Sequence, residues 1–130
     1  MKKILSFISV LIFSSLSLLS QQNQQQAVIL QPIFILEDVS FAVNAMNSIE
    51  IVGTEVEIFL SSKNTLISYL QSAQKRNKTA KDTIHCEMPL TTAQNIANFL
   101  DRAKFSASQA EQFKRFIDAL VESTKKYKSN

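Results

Sequence analysis

Residues 36–66 read LEDVSFAVNAMNSIEIVGTEVEIFLSSKNTL, and residues 90–120 read LTTAQNIANFLDRAKFSASQAEQFKRFIDAL. The two stretches align without a gap at a spacing of 54 residues, and five aligned positions are identical. The identical pairs are Leu36 and Leu90, Asn44 and Asn98, Glu57 and Glu111, Phe59 and Phe113, and Leu66 and Leu120. Apolar residues between these positions also coincide. The alignment predicts two copies of a strand–helix–helix unit, at residues 28–73 and 82–124.

The helices of the first unit follow from this alignment. Residues 37–49 fit either an alternating strand or a helical spacing, and their match to a helical pattern in the second unit favours a helix over about 38–48. A longer helix is predicted over 54–74. Its expected buried stripe consists of Val56, Phe59, Leu60, Ile67, Leu70 and Ala73.

The second unit contains two further predicted helices, one over 91–104 and one that begins at Ser108. The first has an apolar stripe of Ile96, Phe99, Leu100 and Ala103, and the second has one of Ala110, Phe113, Ile117, Leu120 and Val121. A hydroxyl followed three residues later by Glu or Gln is typical of a capping box. This pattern predicts boxes at Thr54–Glu57, Thr91–Gln94 and Ser108–Glu111.

Two short segments have the composition of strands. Residues 27–36 are apolar and β-prone, but Pro32 has no N–H to donate, so this strand should lie at an edge or be broken there. Residues 83–88 alternate, with Ile84, Cys86 and Met88 on one face. The predicted fold class is α+β and mainly helical, with four helices packed on a small two-stranded sheet.

Composition excludes several classes of protein. The 130 residues include one Gly and two Pro, too few for the tight turns of an all-β fold of this length. One Gly also excludes a glycine-rich phosphate loop. One Cys and one His exclude an internal disulfide, a Cys-based zinc site within one chain and a multi-histidine metal site.

The first twenty residues have the order of a secretory signal peptide. Lys2 and Lys3 precede an apolar run from Ile4 to Leu19, and Ser20 is followed by the Gln-rich tract 21–26. We expect cleavage near Ser20, a flexible leader at 21–26 and a secreted or periplasmic location. The alternative is an uncleaved anchor, but the sixteen residues of this run would span only about 24 Å as a helix, short of the roughly 30 Å hydrocarbon core.

Cleavage would leave a nearly neutral protein. The chain has 14 Lys and Arg against 11 Asp and Glu, and loss of Lys2 and Lys3 leaves 12 against 11, a net charge of +1. Such a chain has little electrostatic reason to bind nucleic acid. We therefore expect no nucleic-acid partner, and no stable membrane span after cleavage.

Residues 27–124 should form a single globular domain, followed by a frayed basic tail at 125–130. A basic stretch lies between the two predicted units, and its charged members are Lys75, Arg76, Lys78 and Lys81. These residues are either a solvated connection or a docking patch for an acidic partner or membrane surface. Asn77–Lys78–Thr79 also matches the short glycosylation triplet, which matters only in a eukaryotic secretory route.

Catalytic chemistry has little support in the sequence. His85 and Cys86 are neighbours on a strand, so their side chains should point to opposite faces and Cys86 should be buried and unreactive. Glu55 and Glu57 diverge around their helix, and Glu37 and Asp38 fit a structural role at a helix start. We predict no catalytic residue, no cofactor and no metal site.

These observations predict a small exported protein that is not an enzyme and that acts by binding another macromolecule, with a protein as the expected partner. One alternative is a carrier of small apolar ligands, with a cavity between helices and sheet. Another is a hydrolase with an unfamiliar carboxylate site.

Overall fold

The computed structural model describes the backbone of residues 28–128 and the side chains of residues 28–126. The predicted signal peptide at 1–20, the leader at 21–26 and the last two residues of the predicted tail lie outside this range.

Four α-helices and four short strands make up the described chain. The helices are α1 (Leu36–Met46), α2 (Val56–Lys75), α3 (Leu90–Leu100) and α4 (Ala110–Lys128). The strands are β1 (Ile29–Leu30), β2 (Ile33–Ile35), β3 (Thr83–His85) and β4 (Met88–Pro89). The mainly helical α+β class is therefore confirmed. None of the described helices has both the length and the hydropathy needed to cross a membrane.

The strands form one antiparallel ribbon with an interruption. β1 pairs with β4, with Ile29 opposite Pro89, and β2 pairs with β3, with Ile33 opposite His85. Both pairings share one register. The expected break occurs at Pro32, whose carbonyl nevertheless accepts a hydrogen bond of 3.0 Å from the Cys86 N–H.

α1 lies at the centre of the helical layer and packs against the other three helices. Phenylalanine rings fill much of the core. The rings of Phe34 and Phe116 stack with their centroids 4.6 Å apart, and Phe59 meets Phe99 edge to face at 5.3 Å. These contacts join the ribbon to α4 and α2 to α3, so the core spans both predicted units.

The buried face of α2 differs from the prediction. Leu60 is 48% exposed and Val56 is 39% exposed, whereas Ser62 is buried. The buried side chains Phe59, Leu66 and Ala73 follow one another at seven-residue spacing. α2 packs against both α1 and α3 along this line, which leaves Leu60, one residue and about 100° further around the helix, on the surface.

All three predicted capping boxes are wrong. A short 3-10 turn precedes each long helix, at Gly53–Glu55 and Ala107–Gln109. Each N-cap therefore lies two residues earlier in the sequence than predicted. The Val52 N–H donates to the Glu55 carboxylate at 3.0 Å, and the Ser106 N–H donates to the Gln109 side chain at 3.1 Å.

The third helix needs no side-chain cap. α3 starts from Pro89, and no side chain caps its first turn. The Leu90 N–H instead donates to the Val28 carbonyl across the ribbon, at 2.8 Å.

The starts and lengths of α1 and α3 match at a spacing of 54 residues. α1 and α3 begin at Leu36 and Leu90 and have 11 residues each. The Leu36 N–H donates to the Asp82 carbonyl at 2.9 Å, as the Leu90 N–H does to Val28. The packing of the long helices differs, because α2 packs against α1 and α3, whereas α4 packs against α1, β1 and β2. Duplication of the whole unit therefore stays a prediction.

Candidate functional site

The ribbon has a buried face and an outward face. The even-numbered residues Val28, Leu30, Pro32 and Phe34 are buried, as are their partners Ile84, Cys86, Met88 and Leu90. The odd-numbered positions carry Ile29 and Ile33, which stay 44% and 40% exposed. Two large apolar side chains therefore lie on the outward face of the ribbon, where water would favour polar ones.

α4 packs beside the edge of the ribbon that β1 and β2 form. Phe116 of α4 stacks on Phe34, which fixes the helix against β2. Toward the start of α4, Arg115 reaches α1 and donates from Nε to Oδ2 of Asp38 at 3.0 Å and from Nη2 to Oδ1 at 2.7 Å. These contacts hold α4 against β2 and α1, and a gap remains between the helix and the strand.

We call this gap the β2–α4 groove, a cavity of about 420 Å³ that opens to solvent. Its volume lies within the range of roughly 300–1,000 Å³ that is common for ligand sites. The strand side contributes Gln31, Ile33 and Ile35. The helical side contributes Asp38, Arg115, Asp118, Ala119, Glu122, Ser123 and Lys126. The groove thus combines apolar walls with a charged rim.

Most charges around the groove are already paired. Arg115 also donates to Glu37 at 3.2 Å, and Lys81 binds the same Glu37 oxygen at 2.8 Å. The hydrogen bond from Lys81 lowers the pKa of Glu37 below its ordinary value. Hydrogen bonding to Asp38 raises the pKa of Arg115 further, so this guanidinium stays charged. The groove therefore ends at a fixed ionic cluster.

The rim carboxylates of α4 are held less firmly. Asp118 pairs with Lys114 at 2.6 Å and Glu122 pairs with Lys125 at 3.3 Å, and all four side chains are largely exposed. Exposed pairs of this kind contribute little and are readily exchanged. Lys126 also lines the groove, so the rim carries charges of both signs.

The opposite edge of the ribbon, which β3 and β4 form, is covered differently. The Tyr69 hydroxyl of α2 donates to the Glu87 carbonyl at 2.5 Å. Burial is the main cause that raises the pKa of Tyr69 above its ordinary value, so the phenol remains a donor. One edge is therefore closed by a tyrosine, while the other borders the groove.

A second cavity of about 410 Å³ is polar and lies among Ser48, Ile49, Glu50, Arg102 and Lys104. Arg102 is engaged there, because it donates to the Glu55 carboxylate at 2.6 Å and to the Glu50 carbonyl. Its hydrogen bond lowers the pKa of Glu55.

The predicted docking patch lies at the last residue of α2 and in the segment that follows it. Lys75, Arg76, Lys78 and Lys81 are all exposed, but Lys81 is bound to Glu37. Asn77 adopts a left-handed φ of 57°, and the Lys78 N–H donates back to the Ala73 carbonyl at 3.0 Å. The segment is thus a hydrogen-bonded helix C-cap whose cations face solvent.

The His85–Cys86 pair has the geometry that alternation predicts. Cys86 is buried and His85 is exposed on the opposite face. Burial raises the pKa of the Cys86 thiol to about 12, so the thiol is protonated at neutral pH. Among the described residues, no cluster of three or more His, Cys, Asp or Glu could hold a metal ion.

A cavity between helices and sheet was expected only for a carrier of apolar ligands, and the residues of the β2–α4 groove were not predicted. The alternation along 28–35 could have indicated the groove, because it places Ile29 and Ile33 on the strand face opposite to Leu30 and Phe34. The Asp38–Arg115 contact left no such signal, because its partners are 77 residues apart. No protein-family model matches this chain, and the searches of curated proteins and of solved structures found no similar protein.

Proposed function

We propose that the protein is exported and acts, without catalysis, by binding another protein at the β2–α4 groove and the outward face of the ribbon. The observation that carries this proposal is the exposure of Ile29 and Ile33 beside the groove. Exposed apolar side chains that are rimmed by polar ones are typical of interaction sites.

A second apolar surface supports a binding role. Val56 and Leu60, four residues apart on one side of α2, are exposed, as are Ile58 on another side of the helix and Val52 before it. The residues 54 positions later are Ser106, Ala110, Gln112 and Lys114. α4 thus forms a long helix without apolar residues at most of the matched positions. The exposed apolar side chains of α2 are therefore not needed for helix formation, which favours a role in contact with a partner.

A photo-crosslinking amino acid placed at position 33 in the exporting cell tests this function. We expect a discrete protein adduct at position 33 and none when the same probe replaces exposed Gln71 of α2. Equal labelling at both positions, or no protein adduct at 33, would contradict the proposal. A small apolar molecule released from the purified protein by denaturation would instead favour the carrier alternative.

Export rests on residues 1–20. The order of charged, apolar and small residues in this segment supports cleavage near Ser20. We expect the N-terminal mass of the exported protein to correspond to a start near Gln21. Recovery of only a membrane-embedded chain that starts at Met1 would contradict this part of the proposal.

Duplication of residues 28–73 as 82–124 is also proposed. It is supported by the recurring bounds of α1 and α3 and by the matched hydrogen bonds Leu36–Asp82 and Leu90–Val28. In an experimental structure, residues 37–70 should superpose on 91–124 with Phe59 over Phe113. Helix pairs that cross with opposite hands would exclude the duplication.

A further inference from the structure

The outer edge of β2 has backbone groups without hydrogen-bond partners. Hydrogen bonds across the ribbon are made by even-numbered residues, as from the Cys86 N–H to the Pro32 carbonyl. Antiparallel pairing alternates, so the N–H and C=O groups of odd-numbered residues point away from the paired strand. Within the part of the chain that the structure describes, no hydrogen bond from another element reaches the N–H or C=O of Gln31 or Ile33. Unpaired backbone donors and acceptors therefore face the β2–α4 groove.

From this edge we infer that the β2–α4 groove binds an extended segment of the partner protein, which adds to β2 as an antiparallel strand through main-chain hydrogen bonds. The inference rests on the proposed binding function and names the form of its ligand. Strand addition is a recurring mode of peptide recognition, in which the backbone provides affinity and side-chain contacts provide specificity.

The opposite edge of the ribbon follows the same alternation. Glu87 is odd-numbered, and its carbonyl points out of the ribbon to accept the Tyr69 hydroxyl at 2.5 Å. A side chain of α2 thus occupies the edge of β4 at this point. Among the described residues, no side chain makes an equivalent bond to β2. The edge beside α4 is therefore the one that the fold leaves available to another strand.

Pro32 does not block this edge. A proline protects an edge strand when its missing N–H would have faced outward. Pro32 is even-numbered, and its carbonyl faces inward to the Cys86 N–H, so its missing donor belongs to the inner ladder. The odd-numbered positions from 29 to 35 hold neither proline nor lysine, the residues that commonly protect edges.

The groove has the size of a short strand. Three residues of strand extend about 10 Å, and with a strand spacing of about 4.8 Å and layers about 10 Å apart they occupy roughly 480 Å³. The cavity measures about 420 Å³, opens to solvent and follows Gln31, Ile33 and Ile35. On its helical side, Ala119 and Ser123 have small side chains. An added strand of about three residues therefore fits between β2 and α4.

The side chains of the segment are constrained by Ile33 and by the rim. Directly opposite residues of an antiparallel pair lie on the same face, so the residue paired with Ile33 lies on the outward face. An apolar, β-branched side chain packs well there. The rim has charges of both signs, from Asp118, Glu122 and Lys126, and the bonding groups of a backbone have no net charge. We therefore expect an uncharged segment whose affinity changes little with salt.

The test titrates the full-length chain, by NMR, with the blocked heptapeptide Ser-Thr-Val-Thr-Val-Thr-Ser. The control is the same peptide methylated at two consecutive central amide nitrogens, which removes a donor from each of its edges. We expect the unmodified peptide to bind at least about tenfold more tightly than the control. Its addition should slow hydrogen exchange at the Gln31 and Ile33 amides and leave that of His85 unchanged.

Three results would overturn the inference. Equal binding of the methylated peptide, or binding without slowed exchange at Ile33, would exclude strand addition while leaving a binding function intact. Absence of binding by the unmodified peptide would also overturn the inference, and the crosslink at position 33 would then decide the proposed function separately. A dimer of the protein alone, with the Ile33 amide already protected, would assign the edge to a second copy.

Two prolines provide matched variants. Ile33→Pro removes the outward N–H from β2 and should reduce peptide affinity at least about tenfold. His85 lies directly opposite Ile33 in the ribbon, so His85→Pro removes the same donor from the other edge and should leave affinity unchanged. Ala119→Phe fills the groove without altering the strand and serves if Ile33→Pro fails to fold, with exposed Ala107→Phe as its control. A folded Ile33→Pro or Ala119→Phe variant that binds as tightly as the unaltered protein would overturn the location.

Discussion

Arg115 holds the buried carboxylate of Asp38 with two hydrogen bonds, of 3.0 Å and 2.7 Å, across 77 residues of sequence. The Asp38 side chain is 2% exposed and the Arg115 side chain 40% exposed. The pair joins the first turn of α1 to α4 and closes one end of the β2–α4 groove. Its geometry is bidentate, which a lysine could not reproduce.

Removal of this guanidinium should destabilise the protein. Arg115→Ala leaves the Asp38 carboxylate buried without its partner, and we expect a loss of about 2–4 kcal/mol in the free energy of unfolding. Lys114→Ala removes only an exposed pair with Asp118 and should cost less than about 0.5 kcal/mol. Urea unfolding of both variants measures the difference. Similar small losses in the two variants would show that Asp38 is not held in this way.

Stability should fall in acid because the pKa values of three carboxyl groups, Glu37, Glu55 and Asp82, are lowered. Lys81 lowers the pKa of Glu37, and Arg102 lowers that of Glu55, from an ordinary value of 4.5. A carboxyl with a lowered folded-state pKa stabilises the protein above its unfolded-state pKa and loses that contribution as pH falls through the folded-state pKa. Melting temperature should therefore drop below pH 4.5. The Lys81→Ala, Arg102→Ala double variant should show a weaker dependence over that range, and an unchanged profile would contradict the assignment.

The Cys86 thiol should be inert in the native protein. Burial raises its pKa to about 12, so the reactive thiolate is scarce at pH 8. A maleimide reagent should label the native protein slowly and the urea-unfolded protein at once. Cys86→Ala should cost roughly 1 kcal/mol, as expected for a small buried side chain. Rapid native labelling, or a disulfide-linked dimer in thiol-trapped material, would contradict the assignment.

Phe59 and Phe113 should matter equally to stability. Both are buried, and each contacts another ring, Phe99 in one case and Phe105 in the other. Replacement of either by Ala should cost about 3–5 kcal/mol, measured by thermal or urea unfolding. Lys63 lies at the position matched to buried Ile117 but is only half-buried, so Lys63→Ala should cost little. A loss as large as that of Phe59→Ala would place Lys63 in the core.

Local patterns determined the elements of this protein. Apolar spacing predicted all four helices, and the alignment at 54 residues correctly favoured a helix for the ambiguous segment that became α1. Alternation over 83–88 predicted the buried face of Ile84, Cys86 and Met88. Pro32 predicted the break between β1 and β2. These results depend on neighbours within a few residues, which the sequence displays directly.

Helix starts and the buried face of α2 were decided by tertiary structure. The Leu36 and Leu90 N–H groups find carbonyls on the opposite strand, so no capping side chain is required. Leu60 is more apolar than Ser62, yet Ser62 is buried because α2 packs on both α1 and α3 along the line of Phe59 and Leu66.

The sequence by itself determined the helices, the broken strand and the expectation of export. Only the tertiary structure decided the groove, because its walls come from β2 and α4, which are far apart in the chain. Periodicity shows which face of an element is apolar, but it does not show which distant element covers that face. Ile33 remains exposed because α4 is held by Phe34–Phe116 on the inner side and by Asp38–Arg115 at one end, and neither contact covers the outward face of the strand.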